Sequence, residues 1–289
     1  MDIILQVILN GILVAALYAL LAGGLSFLYS TTKIFHLAHG VVAVGASYAF
    51  WWLWIGVGWH PVLALFFSVL VAAVTGFLMN ELVYERLRRH GAKGLGYLIA
   101  TLALLMLGTG IILALFGAAP KTFRVETATL AFGEVNITVL QVWTIVISII
   151  LLGIFFSITK FTKFGKAMRA TADNETVAEV LGIDTKKIRR WAFILVSVLA
   201  AAAGILNGLE FNLDPNRGVI LAVFGFAGAV IGGVGNLGGA ILGSLLIGML
   251  EQGVVWFLGA GWRNAVVFIL LFVFLLLKPE GLLGQRKQI

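Results

Sequence analysis

Residues 3–29 read IILQVILNGILVAALYALLAGGLSFLY, an apolar run without a single charged side chain. A helix that spans a bilayer needs about 20 mostly apolar residues, because the hydrocarbon core has no water to bind its backbone groups. This run is therefore long enough to cross a membrane as one helix. No basic stretch precedes it, so we interpret it as a retained first span and not as a cleaved signal peptide.

The rest of the chain has the same apolar character. Of its 289 residues, 61% are hydrophobic and 11% are charged, and the mean hydropathy is +1.07. A soluble domain has roughly 25% charged residues, because its surface must face water. The composition therefore predicts an integral membrane protein. The sequence contains no cysteine, which excludes disulfides, thiolate metal sites and cysteine nucleophiles.

Eight further apolar segments follow the first one. They predict a single all-α transmembrane domain over residues 1–289, built as a polytopic bundle of about nine helices. Counts of eight or ten stay open, because the seventh and ninth segments are short and either could be a broken or re-entrant helix. The predicted spans are residues 3–29, 36–55, 61–84, 95–117, 139–158, 191–213, 218–231, 237–258 and 264–277.

Lysines and arginines are distributed unevenly between the predicted loops. Sixteen of the 20 fall on one side of the bundle and four on the other. Cytoplasmic loops are rich in these residues, so the N-terminus is predicted outside and the C-terminus in the cytoplasm. The net charge of +7 is thus explained by topology, without nucleic-acid binding. The external four are Lys121, Arg124, Arg217 and Arg263; the others are Lys33, Arg86, Arg88, Arg89, Lys93, the eight from Lys160 to Arg190, Lys278, Arg286 and Lys287.

Two loops are long enough to hold structure of their own. The external loop, residues 118–138, contains the alternating stretch TFRVETATLAF, which predicts a small strand pair. The cytoplasmic loop, residues 159–190, contains a short predicted helix. Asp173 or Asn174 can cap its start, and Gly182 suits the position just after its end.

The short helix has one apolar stripe at positions i, i+3 and i+4, formed by Val177, Val180 and Leu181. Glu175 suits its positive first turn. Two or three turns of helix are marginally stable in isolation. The stripe should therefore pack either on the ends of the neighbouring spans or on a partner protein, and the residues favour neither.

The chain offers no support for nucleotide chemistry of its own. Residues 233–238, GVGNLG, match the dinucleotide pattern G-x-G-x-x-G, but apolar helical segments flank them where a βαβ unit would be needed. We interpret them as a tight turn between close-packed helices. The phosphate-binding pattern G-x-x-x-x-G-K-[ST] does not occur. We therefore expect no ATPase site, no catalytic residue and no cofactor.

Polar residues inside apolar spans usually face protein or a water-filled cavity, since a charge in lipid is costly. His36 and His39 lie where the second span begins, on one face of the predicted helix. A zinc site needs a third ligand, and no acidic residue is near, so we predict a polar lining or structural hydrogen bonds and no metal. Glu81 is expected at the interface. The candidates for a translocation pathway are His36, His39, Asn207, Glu210 and Glu251.

Four stretches, in this order, resemble a known transporter family. They are HLAHGVVAVGASYA at 36–49, FGKAMRATADNETVAEVLGID at 164–184, AVIGGVGNLGGAILGSLLIGMLEQ at 229–252 and KPEGLLG at 278–284. Together with the first span, they resemble the permease subunits of branched-chain amino acid ABC importers, of the LivH type. That family often has asparagine where this chain has His36, and an acidic residue where it has Val41.

The resemblance implies a permease of the plasma membrane (the bacterial inner membrane) that passes branched-chain or related hydrophobic amino acids, driven by ATP that partner subunits hydrolyse. The implied partners are a second homologous permease, two cytoplasmic ATPase subunits and an external substrate-binding protein. The short cytoplasmic helix would couple the permease to the ATPase. The implied coupling residues are Asp173, Asn174, Glu175, Val177, Ala178, Val180, Leu181 and Gly182.

Two other functions compete with this one. An ion-coupled secondary transporter needs paired charges and discontinuous helices inside the membrane. The sequence places no basic residue at helical spacing from Glu81, Glu210 or Glu251, which argues against it. A membrane enzyme that uses His36 and His39 as metal ligands ranks last.

Overall fold

The computed structural model describes residues 2–123, 125, 127–133 and 135–284, and most of them are helical. Arg124, Arg286 and Lys287, which contribute to the predicted orientation, lie outside the described residues. The helices are α1 (Asp2–Thr32), α2 (His39–Trp51), α3 (Pro61–Leu78), α4 (Glu85–Arg89), α5 (Gly94–Phe116), α6 (Val139–Phe161), α7 (Lys163–Asp173), α8 (Glu175–Val180), α9 (Thr185–Glu210), α10 (Arg217–Gly232), α11 (Leu237–Phe257) and α12 (Arg263–Leu277).

Shorter turns extend several of these helices. The π-helical turn Trp52–Gly56 continues α2, and a second one, Met79–Tyr84, joins α3 to α4 without a break. A 3-10 turn, Ala260–Trp262, precedes α12. Helix α7 is not among the predicted elements, and it fills the first part of the loop in which only one short helix is expected.

Within the described chain, seven helical segments are long and apolar enough to cross a membrane. The prediction of a polytopic helical membrane protein is confirmed. The ninth predicted span is longer than expected, because the 3-10 turn adds to α12. The span predicted at α10 corresponds to a shorter helix, and the span predicted at α2 is filled by α2 together with the π-helical turn Trp52–Gly56. The seven segments are Ile3–Thr32, Pro61–Arg89, Gly94–Phe116, Val139–Phe161, Thr185–Glu210, Leu237–Phe257 and Ala260–Leu277.

Helix α2 begins at His39 and not at His36, where the second span is predicted to start. Lys33, with a φ of 59°, follows the end of α1, and residues 34–38 are not helical. The ring of His39 packs against Gly24, well before α1 ends at Thr32. The chain therefore re-enters the bundle through a non-helical segment, with a turn at Leu37 and Ala38, before α2 starts.

The non-helical backbone of this re-entrant segment is satisfied by side chains. The amide of Ile34 donates to Thr32 Oγ1 at 3.2 Å, and the amide of Ala38 donates to Thr101 Oγ1 at 3.0 Å. Irregular backbone at membrane depth is tolerated only where protein or a water-filled cavity surrounds it. Both hydrogen bonds are buried, so this irregular segment is surrounded by protein and not by lipid.

Helices α2 and α10 cross close to where each begins. A Cβ atom on Gly40 would clash with the carbonyl oxygen of Gly218, so position 40 needs the bare backbone of glycine. The crossing places the starts of these two helices side by side inside the bundle. Helix α10, which is shorter than a membrane span, thus meets the start of α2.

Helix α1 is the central helix of the bundle and packs on α6, α9, α10 and α11. A Cβ atom on Gly248 of α11 would lie 2.7 Å from the carbonyl oxygen of Gly11. Small residues let helix backbones approach this closely, which favours packing where lipid is as apolar as the side chains.

The loop predicted to be external forms an antiparallel hairpin of β1 (Thr129–Phe132) and β2 (Val135–Thr138). The predicted strand pair is confirmed in part, because β1 lies in the predicted stretch and its partner follows that stretch. The amide of Asn136 donates to Gln6 Oε1 at 2.9 Å, which ties the hairpin to the start of α1. The hairpin and the N-terminal end of α1 are therefore on the same side of the bundle.

The GVGNLG segment is a turn between α10 and α11, as predicted, with Gly233 at a φ of 105°. The chain after α12, residues 278–284, packs on this turn. The amide of Leu283 donates to the carbonyl of Gly232 at 2.9 Å, so this segment supplies a donor that the end of α10 lacks. By contrast, only 11% of the segment Ala260–Leu277, which contains α12, is buried inside the protein. Helix α12 is thus better anchored at its end than along its length.

Candidate functional site

Helix α8 is the short helix predicted in the long basic loop, and its start is capped. The Asn174 side-chain oxygen accepts the amide of Val177 at 3.1 Å, which satisfies one of the free donors of the first turn. Of the two predicted caps, Asn174 is the one used. Asp173 instead closes α7.

The end of α8 has the hydrogen-bond pattern of a Schellman motif. The amide of Gly182 donates to the Glu179 carbonyl at 2.9 Å, and the amide of Ile183 donates to the Ala178 carbonyl at 3.0 Å. The motif needs a left-handed residue, and Gly182 has a φ of 82°. The prediction for Gly182 is confirmed.

The apolar stripe of α8 is exposed. Val177, Val180 and Leu181 are 51%, 83% and 73% exposed, whereas Ala178 on the other face is 1% exposed. Of the two alternatives that the sequence leaves open, packing on the neighbouring span ends is therefore not what the chain does. The stripe faces away from the rest of the protein.

Glu175, the first residue of α8, is bound by two arginines from other helices. Its Oε2 lies 3.2 Å from Arg88 Nη1, and its Oε1 forms an ion pair with Arg189 near the start of α9. Arg88 also donates to the carbonyl of Thr32, the last residue of α1, at 3.1 Å. One carboxylate thus links α8 to the ends of α1, of α4 and of α9.

Arg189 is the buried centre of this network. Its Nη2 lies 3.2 Å from Glu85 Oε2, and the side chains are only 6% and 8% exposed. Burying a charge costs several kcal/mol unless a partner compensates it, so these groups depend on each other. A hydrogen bond of 2.6 Å from Thr185 to Glu179 also joins α9 to the second turn of α8.

Next to this network lies the break between α1 and α2. Tyr84, which closes the π-helical turn before Glu85, places its hydroxyl 2.8 Å from Nδ1 of His36. π turns are often found at functional sites. His36 precedes α2, so the expectation that His36 and His39 share a helix face is wrong, although their ring centroids are 6.2 Å apart.

The two histidines are fully buried. Nε2 of His36 and both ring nitrogens of His39 have no hydrogen-bond partner among the residues that the structure describes. No group of three or more potential metal ligands occurs in that part of the chain. The two imidazole rings are therefore buried polar groups within an apolar core.

Asn207 lies elsewhere, near the other end of α9. It lines a small cavity of about 10 Å³ together with Ser47, Asp214 and Arg217, which is room for about one water molecule. Ser47 Oγ and Arg217 Nε are buried without a hydrogen-bond partner in the described chain. Charges of both signs and neutral polar groups therefore converge at the start of α10.

The two carboxylates among the candidate pathway residues, Glu210 and Glu251, each have a partner. Thr144 donates to Glu210 at 2.7 Å. Glu251 is fully buried in α11 and forms an ion pair with Arg263 at the start of α12. The inference that the intramembrane carboxylates lack basic partners is therefore wrong, because Arg263 comes from the next helix and not from the same one.

Glu81 also has a basic partner, at 2.9 Å from Arg190 of α9. Its side chain is 19% exposed, near the end of its span. Of the five candidate pathway residues, His36 and His39 are in ring contact, and the other three have different neighbours. The structure does not bring the five together into one site.

Comparison with known proteins identifies the family. A family model described as the permease component of the branched-chain amino acid transport system matches residues 7–276. The chain belongs to this family. The predicted resemblance is confirmed, and the chain is a multi-pass inner-membrane permease.

Relatives of similar length carry matching descriptions. BraD of Pseudomonas aeruginosa, a high-affinity branched-chain amino acid transport system permease protein, is 29% identical over 97% of this chain and 96% of its own. A probable LivH permease protein of Methanocaldococcus jannaschii is 30% identical over 96% and 92%. LivH of Escherichia coli is 28% identical over 97% and 96%.

Among solved structures, PsaBC from Streptococcus pneumoniae in complex with Fab is similar in fold. The TM-score is 0.50 at 14% sequence identity, over 94% of this chain and 91% of that one. At this identity the likeness concerns the fold alone. The permease therefore shares its helical architecture with a protein of very different sequence.

Proposed function

We propose that this permease is the membrane-spanning subunit of an ATP-driven ABC importer for branched-chain or related hydrophobic amino acids. The relatives named above are described as permeases of branched-chain amino acid transport. The sequence has no ATPase motif, so the energy comes from two cytoplasmic ATPase subunits. A second homologous permease completes the membrane part, and an external binding protein delivers the substrate.

The exposed stripe of α8 carries this proposal. Large apolar side chains that are exposed outside the membrane-spanning segments are unusual, and such patches mark interaction sites. Covering one of them fully contributes about 1.5–3 kcal/mol. We infer that an ATPase subunit covers Val177, Val180 and Leu181.

The anchoring of α8 supports its role in coupling. A displacement of α8 moves Glu175. Because Glu175 is paired with Arg88 and Arg189, the movement is transmitted to the ends of α1, α4 and α9. These ends border the re-entrant segment and the contact of Tyr84 with His36. We infer that movement of the ATPase shifts this break, and that the permease thereby alternates between outward and inward openings.

The orientation follows from the basic residues. We propose that the N-terminus and the β1–β2 hairpin are outside, and that α7, α8 and the C-terminal segment are cytoplasmic. This arrangement places the hairpin where a binding protein arrives and α8 where an ATPase subunit arrives.

The substitution Val180→Asp tests the docking surface. Since Val180 is 83% exposed, the change leaves the permease folded and inserted, but it puts a charge into the interface. We expect at least about a tenfold loss of co-purified ATPase subunits, which corresponds to about 1.4 kcal/mol, together with loss of uptake. Val125→Asp, an exposed valine of the external loop, is the matched control and retains both. Wild-type ATPase binding in Val180→Asp would overturn the proposal.

A second function has specific observations in its favour. The ion pair of Glu251 with Arg263 and the short helix α10 are features that ion-coupled secondary transporters use. The purified permease alone in liposomes separates the two functions. Amino acid accumulation driven by an ion gradient, without ATPase subunits, would favour secondary transport.

A further inference from the structure

We propose that the cavity between α1, α6 and α7 binds the headgroup of an anionic phospholipid. The cavity has a volume of about 420 Å³ and lies where α1 and α6 end, next to the turn that joins α10 and α11. It lies on the side of the bundle that carries most of the basic residues. The proposal concerns the membrane around the permease and does not depend on its transported substrate.

Two cations line this cavity. Lys160 is in the last turn of α6, Arg169 is in α7, and no carboxylate lies among the described lining residues. Arg169 donates to the carbonyls of Thr159 and Lys160, so its guanidinium is fixed at the end of α6. The ammonium of Lys160 lies 5.0 Å from the centroid of the Phe156 ring. A cation–π contact of this kind holds an ammonium without cancelling its charge.

The rest of the lining suits the start of an acyl chain. Phe27, Phe155 and Leu237 form apolar walls. Along the same helix α6, Ile149 and Ile154 are 62% and 51% exposed, as expected for a surface that faces lipid. The end of the cavity with the two cations is thus next to the apolar surface of α6 that faces lipid.

An amphiphile matches this combination better than a free anion does. Lys160 ends the membrane-spanning segment Val139–Phe161, so the cations are at the level of lipid headgroups. Basic pockets between transmembrane helices on the cytoplasmic side take anionic headgroups, and each basic side chain near the surface contributes about 1 kcal/mol. Free phosphate would bind the two cations but would gain nothing from the apolar walls.

Native mass spectrometry of the detergent-purified permease tests the proposal, with phosphatidylglycerol and phosphatidylcholine as probes. We expect retention of one phosphatidylglycerol in preference to phosphatidylcholine. Lys160→Gln should weaken that binding about fivefold, and Lys160→Gln with Arg169→Gln more strongly. Lys163→Gln with Lys166→Gln is the control, because it removes the same charge from α7 at positions that do not line the cavity. This control should bind phosphatidylglycerol like the wild type.

A second variant controls for the possibility that the double variant misfolds. Arg169 supports the end of α6, so the double variant could lose structure, whereas Ala172→Trp fills the cavity without changing any charge. Ala172→Trp should abolish the preference for phosphatidylglycerol, and Lys160→Arg should keep it. Equal retention of both lipids by the wild type, equal losses in the control pair, or displacement of the lipid by inorganic phosphate would each overturn the proposal. So would a photo-cross-link from Thr31 to another protein subunit in place of lipid.

Discussion

Arg189 shows how much the coupling region depends on a single side chain. It is buried between two carboxylates from other helices, Glu85 and Glu175. Arg189→Gln leaves buried Glu85 with only the longer contact to Arg89, at 3.9 Å, and removal of one member of a buried pair typically costs about 3–5 kcal/mol. We expect a clear fall in the thermal unfolding temperature of the solubilised permease, measured beside Arg190→Gln. That control should lose less, because the Arg190 side chain is more exposed.

A double variant distinguishes a paired charge from a merely bulky one. If Arg189 acts through its charge, Glu85→Gln in the Arg189→Gln background restores part of the lost stability. Strictly additive losses would show that Arg189 and Glu85 are energetically independent, and their ion pair would then have no part in stabilising the network around Arg189.

At the scale of the element, α8 is defined by the backbone of Gly182. Gly182→Pro imposes a φ near −65° where the chain needs 82°, and it removes the amide that donates to Glu179. Since the Schellman motif orients α8, we expect the permease to insert normally but to lose most of its uptake and bound ATPase. Gly58→Pro, at a φ of 81° in the loop between the π-helical turn and α3, is the matched control and should transport normally. Normal uptake by Gly182→Pro would contradict a coupling role for α8.

At the scale of the whole molecule, orientation can be read with single cysteines, since the sequence contains none. We expect Val125→Cys in intact cells to react with a membrane-impermeant maleimide, and Lys166→Cys to react only after permeabilisation. Both side chains are exposed, so access depends on the side of the membrane and not on burial. The unsubstituted protein provides the unlabelled baseline. The opposite labelling pattern would invert the proposed topology.

The spans and the caps of α8 could be predicted from sequence because their causes are local. Apolar length marks a span, and Asn174 and Gly182 act on amides only a few residues away. The pairs Arg189–Glu85 and Arg263–Glu251 could not be predicted, because each joins separate helices that only packing brings together. The late start of α2 escaped prediction for a related reason, since residues 36–38 are as compatible with a helix as their neighbours. Their non-helical form depends on tertiary contacts, such as the hydrogen bond from the amide of Ala38 to Thr101.

Helix α12 is fastened at two points and lightly packed between them. Arg263 holds its first turn to Glu251, and the segment after its last turn is hydrogen-bonded to Gly232. Along the middle of α12, replacing contacts with lipid by contacts with protein changes the free energy little, because acyl chains and leucine side chains are equally apolar. The flank of the bundle at α12 is therefore the one that a neighbouring membrane protein can most easily reshape, while both fastenings stay in place.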